Sequence, residues 1–102
     1  MPEKDYYITL NEIVRIFVYL DTNKKEVKRF VVKLELLNNG KWINVERYDT
    51  HHDCIHKDIM GKDGKKKRSI IYEHLNSESG VNVAIKDFRE NYQIYIWRYL
   101  ND

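Results

Sequence analysis

A ten-residue segment near the middle of the chain, residues 49–58, concentrates side chains that could do chemistry. It contains three of the four histidines, three carboxylates and the only cysteine of the 102-residue sequence. Histidine suits proton transfer near neutral pH because its unperturbed pKa is about 6.5. Histidine, cysteine and carboxylate side chains are also common ligands of transition metals. The segment therefore indicates either acid–base chemistry or metal binding, and the path of the backbone decides between them.

An extended backbone over residues 52–58 would place His52, Cys54, His56 and Asp58 on one face. Neighbours on that face would lie about 6.8 Å apart along the strand. Two histidines at this spacing can close on one metal ion, and the thiol adds a soft donor. This alternative predicts a metal site made of His52, Cys54 and His56. The alternative without function is that these polar side chains only form hydrogen bonds with nearby backbone groups.

A backbone bent around residues 51–53 would instead bring His51 and His56 together, with Asp49 or Asp58 orienting one imidazole. One neutral imidazole could then accept the proton of a ribose 2′-hydroxyl, while a protonated partner gives a proton to the leaving oxygen. A nearby cation would stabilise the extra charge on phosphorus. This geometry predicts phosphodiester cleavage without a cofactor. The candidate cations are Arg47, Lys57 and Arg68.

Positive charge is concentrated beside the histidines. The chain has 18 basic and 16 acidic residues, and six of the basic ones lie with two acidic ones in residues 57–68. This window therefore carries +4, which attracts polyanions such as nucleic acid. The alternative is a solvated hairpin tip whose lysines keep a sheet edge from aggregating. The predicted phosphate-binding residues are Arg47, Lys57, Lys65, Lys66, Lys67 and Arg68.

Alternating apolar residues predict the strands that must position this segment. The predicted strands are residues 13–21, 27–37, 42–48, 54–60 and 68–75. Asn39-Gly40 is a strong two-residue hairpin signal, which predicts that residues 34–37 pair with residues 42–45. Residues 6–10 are also strand-like and extend the first strand in this prediction, whereas residues 50–53 are expected to form a loop or bulge.

The last quarter of the chain changes to a helical period. Apolar residues recur at steps of three and four between Val81 and Tyr99, and Asn76 or Ser77 is a suitable N-cap. The aromatic residues of this stripe are expected to cover a sheet face, because an amphipathic helix must bury one side. The sequence predicts one α+β domain over residues 1–102. In it, an antiparallel β-meander of four to five strands is covered on one face by a C-terminal α-helix.

Length and composition limit the class of protein. A chain with 42% hydrophobic residues, four glycines and one proline is neither collagen-like nor wholly disordered. One cysteine cannot form an intrachain disulfide. No apolar run approaches the roughly 18 residues of a membrane helix, and residues 1–5 lack a signal-peptide pattern. We therefore expect a cytoplasmic protein with no membrane partner.

The pattern Arg47-Tyr48-Asp49-Thr50-x-His52-x-x-x-His56-x-Asp58 precedes a tyrosine-rich helix and follows a three-strand meander. It resembles a group of small uncharacterised prokaryotic proteins with a Tyr-Asp-Thr/Asn segment and spaced histidines. It is also similar to the TumE-type toxins of toxin–antitoxin pairs, a family regarded as ribonucleases. The motif positions are Tyr48, Asp49, His52, His56 and Asp58. The chain departs from the toxins at Asp58, where they tend to have histidine, and at Asp53, where they commonly have glycine.

The resemblance implies a metal-independent endoribonuclease toxin that acts on RNA and is held inactive by an antitoxin protein. His52 and His56 would form the acid–base pair, with His51 able to replace either. Asp49 or Asp58 would orient an imidazole. Two alternatives remain. One is a non-enzymatic interaction module, a homodimer included, that pairs through an edge strand or the exposed face of the helix. The other is a metal-binding protein.

Overall fold

A computed structural model describes residues 2–51, 54–73 and 75–102. In this part of the chain, one antiparallel sheet is followed by one long helix. The strands are β1 (Glu3–Thr9), β2 (Val14–Asn23), β3 (Glu26–Asn38), β4 (Lys41–His51), β5 (Cys54–Met60) and β6 (Lys66–Tyr72), and the helix is α1 (Ser77–Leu100). The strands are ordered β1 to β6 across the sheet, so each pairs with its neighbour in sequence.

The α+β class with an antiparallel sheet and a C-terminal helix is confirmed, but the sheet has six strands rather than four to five. Residues 6–10 do not extend the first predicted strand, because a tight turn separates β1 from β2. In this turn Asn11 Oδ1 accepts a hydrogen bond from the Ile13 backbone N–H at 2.8 Å. An Asn side chain can form such a turn without glycine or proline, so the usual turn signals are missing from this part of the sequence.

The hairpin between β3 and β4 forms where the sequence predicts it. Asn39 and Gly40 both have positive φ angles, 53° and 78°, as a two-residue type I′ turn requires. Glu35, Leu36 and Leu37 pair with Asn44, Ile43 and Trp42. Beyond these pairs the register shifts, so that Leu34 pairs with Glu46 instead of Val45.

This bulge in β4 decides which side chains face the helix. Val45 and Glu46 are both buried although they are consecutive, which a regular strand does not allow. After the bulge, Tyr48 lies under α1, while Arg47 and Asp49 lie on the other surface of the sheet. We call that other surface, which α1 does not cover, the open face.

The strand β4 also continues further than expected. Thr50 and His51 pair with Ile55 and Cys54, so residues 50 and 51 belong to the sheet rather than to a loop. His52 and Asp53, the rest of the predicted loop, lie outside the described residues. The sequence prediction of a strand over residues 54–60 is confirmed by β5.

Helix α1 covers one face of the sheet. Asn76 caps it, since its side chain accepts a hydrogen bond from the Ser79 backbone N–H at 2.8 Å. The helix buries Val81, Ala84, Phe88 and Tyr99. They pack against buried strand residues that include Ile16, Val18, Phe30, Val32, Leu34 and Ile55. The predicted helical stripe is therefore core. No helix in the described ranges combines the length and the apolar composition needed to cross a membrane.

Candidate functional site

A concave site of about 400 Å³ lies on the open face across strands β4, β5 and β6. We call it the open-face site. It is lined by Arg47, Asp49, His56, Asp58, Lys66, Ser69 and Ile71. Four of the predicted site residues other than the lysine run are among these: Arg47, Asp49, His56 and Asp58. The structure thus brings an imidazole, two carboxyl groups and two cations to one surface.

Strand register explains this grouping. Arg47 pairs with Asp58, which pairs in turn with Ser69 on β6. In the next row, Asp49 pairs with His56. Residues directly opposite each other in an antiparallel pair have Cβ atoms about 4.5 to 5.5 Å apart, so their side chains interact. The bulge in β4 is needed for this arrangement because it turns the arginine and the aspartate of β4 to the open face.

Asp58 is the centre of the site. It is only 2% exposed, and its carboxylate is bound from three sides. Arg47 Nη2 donates to Asp58 Oδ2 at 2.7 Å, and Ser69 Oγ donates to Oδ1 at 2.8 Å. Lys66 Nζ lies 3.8 Å from Oδ2. Burial opposes ionisation, but these hydrogen bonds and charges outweigh it and lower the pKa of Asp58.

The pKa of Asp49 is shifted in the opposite direction, upward. Its Oδ2 lies 3.2 Å from Arg47 Nε, although this contact lacks hydrogen-bond geometry. Burial raises the pKa of Asp49, the negative charge of Asp58 adds to the rise, and the charges of Arg47 and His56 partly offset it. The site therefore holds two carboxyl groups whose pKa values are moved apart. Such separation is typical of sites where one carboxyl group stays ionised and another exchanges protons.

Two residues predicted for the site lie on the opposite face of the sheet, under α1. Lys57 is 6% exposed, and its Nζ lies 2.8 Å from Asp87 Oδ2 and 3.2 Å from Glu46 Oε1. Tyr48 is 2% exposed and donates to Asp87 Oδ2 at 2.6 Å. The prediction that Lys57 binds phosphate or acts as the catalytic cation is corrected, because its ammonium group is buried and already neutralised. Tyr48 likewise does not reach the open-face site.

The predicted run of basic residues is divided by its surroundings. Lys66 lines the open-face site, whereas Lys67 forms an ion pair with Asp102 at the end of the chain. Lys65 and Arg68 are exposed and are not part of the lining of the site. Of the predicted phosphate-binding residues, only Arg47 and Lys66 therefore line the same site as His56.

The histidine pair and the metal alternative both depend on His52, which lies outside the described residues. Of His51, only the backbone is described. His56 lies in the site, and Cys54, half-buried, begins β5. Within residues 2–51, 54–73 and 75–102, no group of three or more His, Cys, Asp and Glu side chains could hold a metal ion. The alternative of His52, Cys54 and His56 stays a prediction.

Sequence reasoning missed a buried polar cluster between sheet and helix. We call it the sheet–helix cluster; its members are Glu46, Tyr48, Lys57, Asp87, Asn91 and Tyr95. Asp87 is the acceptor of the cluster: its carboxylate accepts hydrogen bonds from Tyr95 Oη at 2.6 Å and from Asn91 Nδ2 at 2.8 Å. A signal was present, since Asp87, Asn91 and Tyr95 recur at helical steps of four beside the apolar stripe. Ser69 was also missed, because its place depends on the register of β6.

The chain belongs to the family described as Domain of unknown function (DUF7718), whose model matches residues 1–102. Comparison with curated proteins finds no match, and comparison with solved structures finds none either.

Proposed function

We propose that this chain is a small endoribonuclease that cleaves RNA at the open-face site without a metal ion. One observation carries the proposal. A single concave surface holds His56, a carboxyl group of raised pKa on Asp49, and the cations of Arg47 and Lys66. They supply three of the groups that phosphodiester cleavage by proton transfer uses: a general base, a group that orients it, and positive charge at the phosphate. A general acid for the leaving oxygen completes the set.

In the proposed reaction, the neutral imidazole of His56 accepts the proton of a ribose 2′-hydroxyl. The oxygen attacks the adjacent phosphorus and the bond from phosphorus to the 5′-oxygen breaks, which leaves a 2′,3′-cyclic phosphate. A protonated group gives a proton to the departing 5′-oxygen. The sequence predicts that His52 forms the acid–base pair with His56 and that His51 can replace either, so we assign this second role to His52. Asp49, opposite His56 in the register, orients the imidazole.

Arg47 is well placed for the phosphate. Its ion pairs with Asp49 and Asp58 use Nε and Nη2. In the described part of the chain, Nη1 takes no part in either pair and is available to a phosphate oxygen. Two carboxylates thus fix the plane of the guanidinium, so that Nη1 is held in place to donate to a phosphate oxygen.

The proposal is tested by incubating purified protein with total RNA in EDTA between pH 5 and 9. Wild-type protein should cleave with a bell-shaped pH profile. His56→Ala and His52→Ala should each lower the cleavage rate by about 10² to 10⁴ while the fold is kept. The double variant should lose less than the sum, since the pair acts as a unit. His74→Ala, which changes the one histidine outside residues 49–58, is the matched control.

Undegraded RNA at every pH, from folded protein freed of any partner, would reject the endoribonuclease proposal. Cleavage that EDTA abolishes would instead support a metal site made of His52, Cys54 and His56. Full activity of His56→Ala would remove the open-face site from the reaction even if the chain cleaves RNA.

We further propose that the enzyme acts in the cytoplasm as a toxin restrained by an antitoxin protein. Expression of the wild-type chain alone should then arrest growth, and co-expression of the product of the adjacent gene should restore it. His56→Ala should not arrest growth at matched expression. Normal growth of cells that contain active wild-type ribonuclease would reject the toxin role but not the enzyme.

A non-enzymatic interaction module is the second candidate, and an exposed apolar groove favours it. The groove has a volume of about 280 Å³ and lies between α1 and the turn that joins β1 to β2. Its walls include Trp97, which is 67% exposed, and Ile13, which is 49% exposed. Exposed apolar patches of this kind mark protein contacts. Co-purification with the product of the adjacent gene that is lost in Trp97→Ser, from a chain without ribonuclease activity, would support this candidate.

A further inference from the structure

A row of side chains crosses the open face from one edge of the sheet to the other. Cross-strand register aligns one residue from each strand: Tyr7, Phe17, Lys33, Arg47, Asp58 and Ser69. Neighbouring strands are about 4.8 Å apart, so Phe17 lies about 10 Å from Arg47 across the sheet. The last three members of the row belong to the open-face site. The row therefore leads from the first strands of the sheet into that site.

The first part of this face is aromatic. The rings of Tyr7 and Phe17 lie 5.3 Å apart between centroids, and the Arg15 guanidinium lies 3.9 Å from the ring centroids of both Tyr7 and Trp42. Tyr7 is 53% exposed and Trp42 is 36% exposed. Phe88, on the sheet-facing side of α1, is by contrast fully buried. The Arg15 guanidinium covers one face of both Tyr7 and Trp42, so a ligand base would stack on the other face of each partly exposed ring.

The aromatic part is joined to the open-face site by positive charge. Lys33 lies between Phe17 and Arg47 in the register, with its Nζ 5.6 Å from the Phe17 ring centroid. Within the described ranges, Lys33 takes part in none of the ion pairs, whereas the nearby Glu35 carboxylate is bound by Arg15 at 2.7 Å. The nearby acid is therefore neutralised while the lysine is not. An uncompensated cation placed beside aromatic rings fits a ligand that has both flat bases and phosphates.

We infer that the open-face site takes single-stranded RNA, with unpaired bases stacked on Tyr7 and Trp42 and the backbone running past Lys33 to Arg47. This inference rests on the proposed function, since it names the substrate class of the same site. Paired bases in a duplex are stacked on one another and do not expose their faces to protein rings. Every base has a face to stack, so the platform selects for single strands without a strong sequence preference.

The two tryptophans of the chain, Trp42 and Trp97, make a direct test possible. In a His56→Ala background and in EDTA, Trp97→Phe leaves Trp42 on the open face as the reporter. Trp42→Phe leaves Trp97 on α1 as the matched control. A short single-stranded oligouridine should quench the fluorescence of the first protein and leave that of the second unchanged. Both substitutions keep an aromatic ring, so folding is preserved.

Affinity is measured by fluorescence anisotropy of the same labelled oligomer. Tyr7→Ser and Trp42→Ser should each weaken binding by about 5- to 150-fold, the range found for loss of one base–ring stack. Trp97→Ser should leave binding unchanged. A duplex of matched length should bind more weakly than the single strand and should be insensitive to Tyr7→Ser. Circular dichroism confirms that each variant is folded.

Equal binding of duplex and single strand, or quenching of Trp97 but not of Trp42, would overturn the inference. So would the absence of RNA binding, which would leave the open face to a protein partner. The proposed function fails in a different way. RNA bound at Trp42 but never cleaved by wild-type protein would reject the endoribonuclease and keep the stacking surface. Cleavage that Tyr7→Ser and Trp42→Ser leave unchanged would keep the endoribonuclease and reject the stacking surface.

Discussion

Lys57 shows how the face on which a residue lies decides what it does. It sits in a basic stretch of sequence, yet the alternation of β5 turns it toward α1 with Ile55, and turns His56 and Asp58 to the open face. Burial disfavours its charge, but hydrogen bonds to Asp87 and Tyr95 outweigh burial and raise the pKa of Lys57. Its ammonium group therefore stays charged and joins sheet to helix.

Replacing Lys57 should destabilise the fold. Lys57→Met leaves the half-buried carboxylate of Asp87 without its cation and leaves buried Glu46 with only the Arg98 guanidinium, 3.6 Å away. Breaking a buried pair in this way costs about 3 to 5 kcal/mol of unfolding free energy. Urea denaturation measures the loss. Lys86→Met, at an exposed position of α1, is the control and should change stability by no more than about 0.5 kcal/mol. A stable Lys57→Met protein with weakened RNA binding would restore the phosphate-binding role.

Asp87 makes stability depend on pH. Burial tends to raise its pKa, but hydrogen bonds from Lys57, Tyr48, Tyr95 and Asn91 outweigh burial and lower it. An unfolded Asp has a pKa of about 3.9. Below that value the unfolded state binds the proton first, so the contribution of Asp87 is complete above about pH 4 and is lost as pH falls through its depressed pKa.

The measurement is the unfolding free energy of wild type and Asp87→Asn between pH 6 and 2. The variant should be less stable at pH 6 and should lose less stability on acidification. Glu46 acts in the opposite sense, because burial raises its pKa and its protonation favours the fold as pH falls. The charge of Asp87 contributes to the raised pKa of Glu46, so the difference between the two curves reports Asp87 together with its interaction with Glu46. Parallel curves would show that the carboxylate of Asp87 does not titrate with a lowered pKa.

At the scale of the elements, α1 packs tightly against the sheet at Gly80. A Cβ atom there would lie 2.5 Å from Ile55 Cδ1 and 3.1 Å from the Phe30 ring. Both of these side chains are buried, so they have little room to move away. The glycine thus allows the first turns of the helix to lie against β3 and β5.

Gly80→Ala should therefore destabilise the protein by about 1 to 3 kcal/mol, the usual cost of overpacking, although alanine is the better helix former. Thermal or urea unfolding measures it, with Ser79→Ala at the exposed neighbouring position as control. The same change in an Ile55→Val background should cost less, because Ile55 Cδ1 is gone. A stabilised Gly80→Ala protein would show that helix propensity outweighs the contact.

Local signals were readable from the sequence at this scale, and signals that depend on a partner strand were not. Asn39-Gly40 predicts its hairpin because both residues tolerate positive φ without outside help. The face shared by His56 and Asp58 follows from the period of two. The bulge at Val45 depends on how β3 meets β4, so the faces of Arg47 and Tyr48 could not be assigned. The charge of Lys57 suggested a solvent-exposed side chain, because its half-buried partner Asp87 is 30 residues away in the sequence.

Across the whole molecule, the distribution of positive charge bears on how RNA would bind. Changing Lys65, Lys66 and Lys67 to Gln should weaken RNA binding and flatten its dependence on salt. Three lost phosphate contacts correspond to a change of about 2 in the slope of log K against log salt for a single strand. Since Lys67 is held by Asp102, we expect most of the effect from Lys66. Titration at several salt concentrations measures it, and unchanged slopes would leave the run as a solvated hairpin tip.

The order of the elements along the chain has a consequence for synthesis. The six strands, joined by short connections, come before the helix that covers them. During translation the meander can pair strand by strand as it leaves the ribosome, since each strand needs only its predecessor. Its apolar face, with Ile16, Phe30 and Leu34, then has no cover until α1 follows. The nascent chain therefore passes through a stage with an exposed apolar surface, and such surfaces are prone to aggregate.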